Sequence, residues 1–153
     1  MLISYFDSSL LLSILLNEQR AKEAFVIWKN SQIRISSILL KFETNIALRR
    51  HYEQLKNRVD NDWLEAKLLE LNNFFSELFF ADIDDSFENS VSVYYKNLFK
   101  CKSLDAIHLA TALSARNNPN NKSICVCSFD KNMLAIAKQL GLETNSAPAL
   151  SLP

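Results

Sequence analysis

The sequence predicts an α/β domain, a parallel sheet with helices packed on both faces. Three observations carry this. Short strand-like runs alternate with longer amphipathic runs along the whole 153-residue chain, the pattern of successive βαβ units. Apolar residues make up 48% of the chain, with ten Phe and two Trp, enough for a substantial core. Gly141 is the only glycine and there are three prolines, so tight turns should be few and helices long. The length suits one domain spanning 1–153.

The elements follow in order. Leu2-Ile3-Ser4-Tyr5-Phe6 reads as a strand, and Asp7-Ser8-Ser9 starts a helix to about Leu16 because Asp and Ser are good N-cap residues. A second helix is expected over 18–29. Ile33-Arg34-Ile35 is the next strand, with Ser36 and Ser37 placed to cap a helix to about His51. A long amphipathic helix covers roughly 60–79, and 80–83 is a third strand. One helix is expected near 84–98, and another, capped by Ser103, to about Arg116. The Asn- and Pro-containing stretch 117–121 is a loop. Residues 123–127 form a fourth strand, Asp130 caps a helix that stops before Gly141, and 142–144 form an edge strand. The tail over 146–153 should be loosely held.

Composition excludes several classes. Lys plus Arg equals Asp plus Glu at 17 each, so net charge does not indicate a strongly basic nucleic-acid binder, although local patches remain open. Cys101, Cys125 and Cys127 are odd in number and lack framework spacing, which argues against a secreted disulfide scaffold. Cys125 and Cys127 share a strand face and should pack as small apolar groups; with only His51 and His108 to join them, a zinc site is not expected. The apolar run 10–16 is too short to span a bilayer, and the first residues lack a basic signal-peptide region. A cytoplasmic protein with no membrane association is the expectation.

Four acids sit where core design would not place them. Asp7 follows an apolar strand directly, either as a helix cap or as a ligand at the carboxyl edge of the sheet, where parallel sheets bind ligands. Glu43 has Leu39, Leu40, Ile46 and Ala47 as wheel neighbours, so it should face the core and need a metal or a salt-bridge partner. Asp105 opens a helix with almost no polar face; it is a dipole-stabilising acid or a site residue, with His108 and Leu109 beside it. Asp130 repeats the strand–acid–helix pattern of Asp7. Acids gathered in a low-dielectric cleft repel, and a divalent cation is the simplest compensation; oxygen ligands favour Mg²⁺ or Mn²⁺.

The same residues resemble the PIN-domain family, and within it the VapC-like toxins of toxin–antitoxin pairs. Tyr5-Phe6-Asp7-Ser8-Ser9-Leu10 is similar to the opening PIN motif, and Phe42-Glu43-Thr44-Asn45-Ile46-Ala47-Leu48 to the Glu-bearing helix. Leu104-Asp105-Ala106-Ile107-His108-Leu109-Ala110-Thr111-Ala112 resembles the most distinctive VapC-like stretch, and Ser128-Phe129-Asp130-Lys131 with Gly141-Leu142 the final motif. The resemblance implies a twisted parallel sheet of four or five strands in the order 3-2-1-4-5. It implies Asp7, Glu43, Asp105 and Asp130 as the catalytic and metal-binding quartet, with Ser8, Ser9 and Ser128 in support. The activity implied is Mg²⁺- or Mn²⁺-dependent endonucleolytic cleavage of RNA, leaving a 5′-phosphate and a 3′-hydroxyl. The partners implied are a VapB-like antitoxin and a second copy of the chain.

Substrate phosphates must approach this acidic cleft. Setting the four acids aside leaves 13 against 17 basic residues. Arg50, two turns past Glu43, could meet an RNA phosphate or simply pair with an acid; Lys131, beside Asp130, is the other candidate RNA contact, while His108 reads as a satisfied core histidine. The helix over 60–79 has no counterpart in the motifs; some of its apolar residues must be core, and the rest offer a dimer face or an antitoxin groove. Rival readings are a PIN-like domain that binds RNA or protein without cleaving, a haloacid-dehalogenase-type phosphatase, and a structural α/β protein. The phosphatase usually carries a second Asp two residues after the first, where this chain has Ser9.

Overall fold

The computed structural model describes residues 3–118 and 123–145. Five strands form one sheet: Ile3–Phe6 (β1), Ile33–Ser37 (β2), Phe79–Ala81 (β3), Ile124–Cys127 (β4) and Glu143–Thr144 (β5). Their order is β3-β2-β1-β4-β5 and every pairing is parallel, as expected. β1 and β4 are buried throughout, which suits apolar strands covered on both faces. The edge strands have three and two residues, and such short edges expose little unpaired backbone.

Alternation along the central strands separates two cores. Ile3, Tyr5, Ile124 and Val126 pack with Leu109 and Leu113 of helix α7 (Ser103–Arg116) and Ile136 of α8 (Lys131–Gln139). Phe6, Cys125 and Cys127 face the other way, toward α1 (Ser8–Leu15) and α2 (Ala21–Asn30). Phe6 meets the Trp28 ring at 4.8 Å, and Trp28 meets Phe74 edge-on at 4.9 Å. Both strand cysteines are free and fully buried, in the apolar role their spacing predicts. A third cluster joins Leu15, Leu48 and Leu71, from α1, α3 (Leu39–Leu55) and α4 (Trp63–Ser76).

Local chemistry moves several boundaries. Ser36 and Ser37 are not helix caps; they extend β2 opposite Phe80 and Ala81. The Ser36 hydroxyl donates to the Phe6 carbonyl at 2.7 Å, and α3 begins behind Ile38 with no side-chain cap. Ser103 is the first residue of α7 rather than its cap, which is Lys102. The helix expected over 84–98 divides into α5 (Phe87–Val91), a 3₁₀ turn over Ser92–Tyr94 and α6 (Tyr95–Leu98). Ser90 and Ser92 hydroxyls donate back to the carbonyls of Phe87 and Asn89 at 2.8 and 3.4 Å, and such local bonds compete with a continuous helix. The helix expected over 60–79 is shorter; Leu71 is buried, Leu64, Leu68, Phe74 and Phe75 are partly buried against the core, and Leu69 is exposed, so its apolar residues divide between core and surface. Among the described residues no helix is long and apolar enough to cross a membrane. The expectation for 146–153, and most of that for the loop over 117–121, falls outside the described residues.

Candidate metal centre

Three helix N-termini open on the carboxyl edge of the sheet, because β1 runs into α1, β4 runs into α8, and α7 starts beside them. Asp7 caps α1, its side chain accepting from the Ser9 amide at 3.4 Å. Asp130 caps α8, accepting from the Met133 amide at 2.8 Å. Asp105 lies in the first turn of α7. The positive ends of these helices favour the carboxylates.

Asp7 is the most enclosed of the four acids, 6% exposed. Its Oδ2 accepts from the hydroxyls of Ser9 at 2.7 Å and Ser128 at 2.8 Å. Among the described residues Oδ1 has only the long 3.4 Å contact from Ser8, so that oxygen keeps acceptor capacity. Among the described residues no Lys or Arg pairs with Asp7. A buried carboxylate without a cationic side chain is costly.

The serines connect this acid to the last one. Ser128 donates to Asp7 and its oxygen accepts from the Asp130 amide at 3.0 Å. The Ser9 oxygen accepts from the Phe129 amide at 3.0 Å. Behind them, the Asn145 side-chain carbonyl accepts from the Ser128 amide at 3.3 Å. Ser9 and Ser128 therefore lock the β1–α1 and β4–α8 turns together, and Asn145 is a supporting residue that sequence reasoning missed, since only the β5 turn brings it there.

Glu43 reaches the centre from α3. Its expected core-facing placement needs correction. Leu40, Thr44 and Leu48 form the buried row of α3, while Phe42 and Ile46 are 62% and 46% exposed. Glu43 sits at the margin between them, its side chain 21% exposed. Its Oε2 lies 2.6 Å from Nε2 of the fully buried His108. Nδ1 of that ring is 2.8 Å from the Tyr5 hydroxyl and 3.4 Å from the Ser37 hydroxyl. His108 is thus a satisfied buried histidine, but one satisfied by a site residue. The signal was its position one turn past Asp105 on α7.

Ligating atoms of Asp7, Glu43 and His108 all lie within 4.8 Å of one another. Asp105 and Asp130 do not join that close group, but electrostatics ties them to it. Burial raises the Asp105 carboxyl pKa above its ordinary value, and the charges of Asp130 and then Asp7 raise it further. For His108, burial lowers the pKa, but the Glu43 hydrogen bond and the charges of Asp7, Glu43 and Asp105 together carry it above the ordinary value. Burial and the charges of Asp105 and Asp130 raise the Cys101 thiol as well. The four acids share one electrostatic neighbourhood, in which His108 and Lys102 offset only part of the rise at Asp105. Their oxygen donors fit a hard divalent cation.

A groove of about 460 Å³ leads away along α3, lined by Ser8, Glu43, Ile46, Arg50 and Leu104 among others. It continues into a second, of about 500 Å³, through the shared Phe42 and Ile46, with Lys41 and Arg49 on its walls. Arg50 is exposed, and among the described residues it has no ion pair. Lys131 is exposed in the first turn of α8 beside Asp130.

The chain matches the family described as PIN domain over residues 4–139. No curated protein sequence matches it.

Proposed function

The chain belongs to the PIN-domain family, and from that membership and the site geometry we propose that it is a Mg²⁺- or Mn²⁺-dependent endoribonuclease, the VapC-like toxin of a toxin–antitoxin pair. The observation that carries this reading is Asp7. It is a buried acid with an underused oxygen and, among the described residues, no Lys or Arg partner, set beside Glu43 and His108 and within the field of Asp105. A divalent cation meets that deficit, and Asp7, Glu43, Asp105 and Asp130 would hold it.

When bound, such a cation acidifies an attacking water and neutralises charge on the scissile phosphate and the leaving oxygen. The chain's own groups do the rest. Ser9 and Ser128 hold the Asp7 carboxylate by Oδ2, which leaves Oδ1 the less engaged oxygen. The Asp105 carboxyl, raised by burial and then by the charges of Asp130 and Asp7, is one a nearby cation would favour in its ionised form. Arg50, on the groove that contains Glu43, suits a flanking phosphate, and Lys131 offers a second positive charge on the α8 side.

The same α3 groove suits an antitoxin segment in which apolar anchors meet Phe42 and Ile46 while Arg or Lys pairs with the acids. A homodimer and a cytoplasmic setting belong to the same reading. Purified protein incubated with single-stranded RNA and Mn²⁺ should yield 5′-phosphate and 3′-hydroxyl ends, and neither EDTA-treated protein nor Asp7→Asn should cut. RNA binding without cleavage under any divalent metal would favour the binding-only alternative. Co-expression with the adjacent reading frame tests the toxin: growth arrest by the chain alone, relieved by its neighbour, is expected.

A further inference from the structure

We propose that His108, oriented by Tyr5, is a positioning residue that presents the Glu43 carboxylate to the metal rather than a ligand itself; this rests on the proposed metal centre. Proximity alone leaves the choice open, since Nδ1 or Nε2 of His108 lies with the Asp7 and Glu43 oxygens inside 4.8 Å. The hydrogen bonds decide it. The ring is fully buried and both nitrogens are engaged, Nε2 with Glu43 at 2.6 Å and Nδ1 with Tyr5 at 2.8 Å. Glu43 is acceptor-only when ionised, so the proton in that contact sits on Nε2. Nε2 then has no lone pair for a metal, whether the ring is neutral or charged.

Tyr5 sets the other side. Its hydroxyl is fully buried on the central strand. Donating to the neutral ring at Nδ1, it places the single ring proton on Nε2, facing Glu43. Ser37 adds a weaker contact at the same nitrogen. The result is a line from β1 through α7 to α3: Tyr5 hydroxyl, imidazole, Glu43 Oε2. One carboxylate oxygen is held and Oε1 is left for the cation. Carboxylate ligands are commonly fixed by such partners, whose loss typically weakens metal binding ~10–100-fold. The geometry also explains how a Glu that is only partly buried, between the exposed Phe42 and Ile46, is held in place.

Two isosteres separate positioning from ligation. In His108→Gln the side-chain amide nitrogen falls near Nε2, keeping a donor toward Glu43 while putting at that position a nitrogen that, unlike an imidazole nitrogen, does not ligate metals. In His108→Asn the polar atoms fall near Nδ1, keeping the Tyr5 contact and losing Glu43. Mn²⁺ affinity, read by electron paramagnetic resonance of free Mn²⁺, should weaken about 10–100-fold in His108→Asn and change little in His108→Gln. Adding His108→Asn to Glu43→Gln should cost almost nothing more than Glu43→Gln alone, because the two act as one unit. Tyr5→Phe, which removes one oxygen, should shift affinity in the same direction by less, and it carries the test if His108→Asn does not fold. Wild-type Mn²⁺ affinity in folded His108→Asn, or in Tyr5→Phe if His108→Asn does not fold, overturns the proposal while leaving the metal centre standing. Equal, large losses in both folded His108 variants make His108 a ligand and also overturn it. Absence of Mn²⁺ binding in the wild type itself would instead bring down the metal centre.

Discussion

The hydroxyl of Ser128 serves two acids at once, donating to Asp7 and receiving the Asp130 amide. Ser128→Ala removes the donor while changing little volume. It should lower Mn²⁺ affinity and cleavage about 10-fold or more, with Ser128→Thr retaining most of both; metal titration beside an RNA-cutting assay measures each. Asp105 gives a prediction of the opposite sign for stability. Its folded pKa is raised from 3.8, so the metal-free fold is favoured when this carboxyl is protonated. That contribution is complete below the ordinary value and is lost as pH rises through the raised one. At neutral pH, metal-free Asp105→Asn should therefore be at least as stable as the wild type. With solvent screening the gain stays below ~1 kcal/mol, no more than about 4 °C in thermal midpoint. The same variant should abolish cleavage. A cutting Asp105→Asn preparation, freed of wild-type protein, would remove Asp105 from the quartet.

Among the elements, α8 has the most explicit ending. Gly141, at φ +74°, closes it, with the Leu142 amide bonded to the Ala137 carbonyl at 3.0 Å and the Gly141 amide to Lys138 at 3.0 Å, the paired bonds of a Schellman motif. Arg116 from α7 covers the end, donating to the Leu140 carbonyl at 2.9 Å. A Cβ at Gly141 would stand 3.5 Å from the Arg116 guanidinium, an ordinary contact, so the cost of Gly141→Ala is conformational. It should destabilise by about 1–2 kcal/mol, or roughly 2–8 °C; thermal unfolding checks this, with Gly141→Asn milder. This stop was legible beforehand because a lone glycine after an amphipathic run needs no tertiary information. Asp7 and Asp130 were legible for the same reason, each placed by the strand before it and the helix after it. The parallel sheet order was carried by the motif resemblance. What could not be read were arrangements that exist only across elements. The bond between Glu43 and His108 joins residues 65 apart, and a helical wheel of α3 contains no information about α7. The same blindness assigned Ser36 and Ser37 to a helix start, when β2 needed them opposite β3.

For the molecule as a whole, a bound cation should act as a fastener between the two halves of the sheet, since Asp7, Glu43, Asp105 and Asp130 come from α1, α3, α7 and α8 turns. At free Mn²⁺ about 100-fold above its dissociation constant, linkage contributes about 2.7 kcal/mol, worth roughly 5–10 °C in a chain of this size. Scanning calorimetry with and without Mn²⁺ should show that rise in the wild type and little in Asp7→Asn. The central position of β1 has another consequence. Its two sheet neighbours are β2, close behind it, and β4, which begins at Ile124, and the Asp7–Ser128 bond spans 121 positions. Contact order of this kind delays folding, because loop closure precedes its reward. During synthesis, at ~5–20 residues per second, Asp7 leaves the ribosome long before the strand that completes its surroundings. A half-made chain has the first acid but no Ser128 or Asp130 and no second flank for β1. If this chain cuts RNA, its architecture withholds that capacity from the nascent polypeptide while it is still tethered to the ribosome and the message being translated.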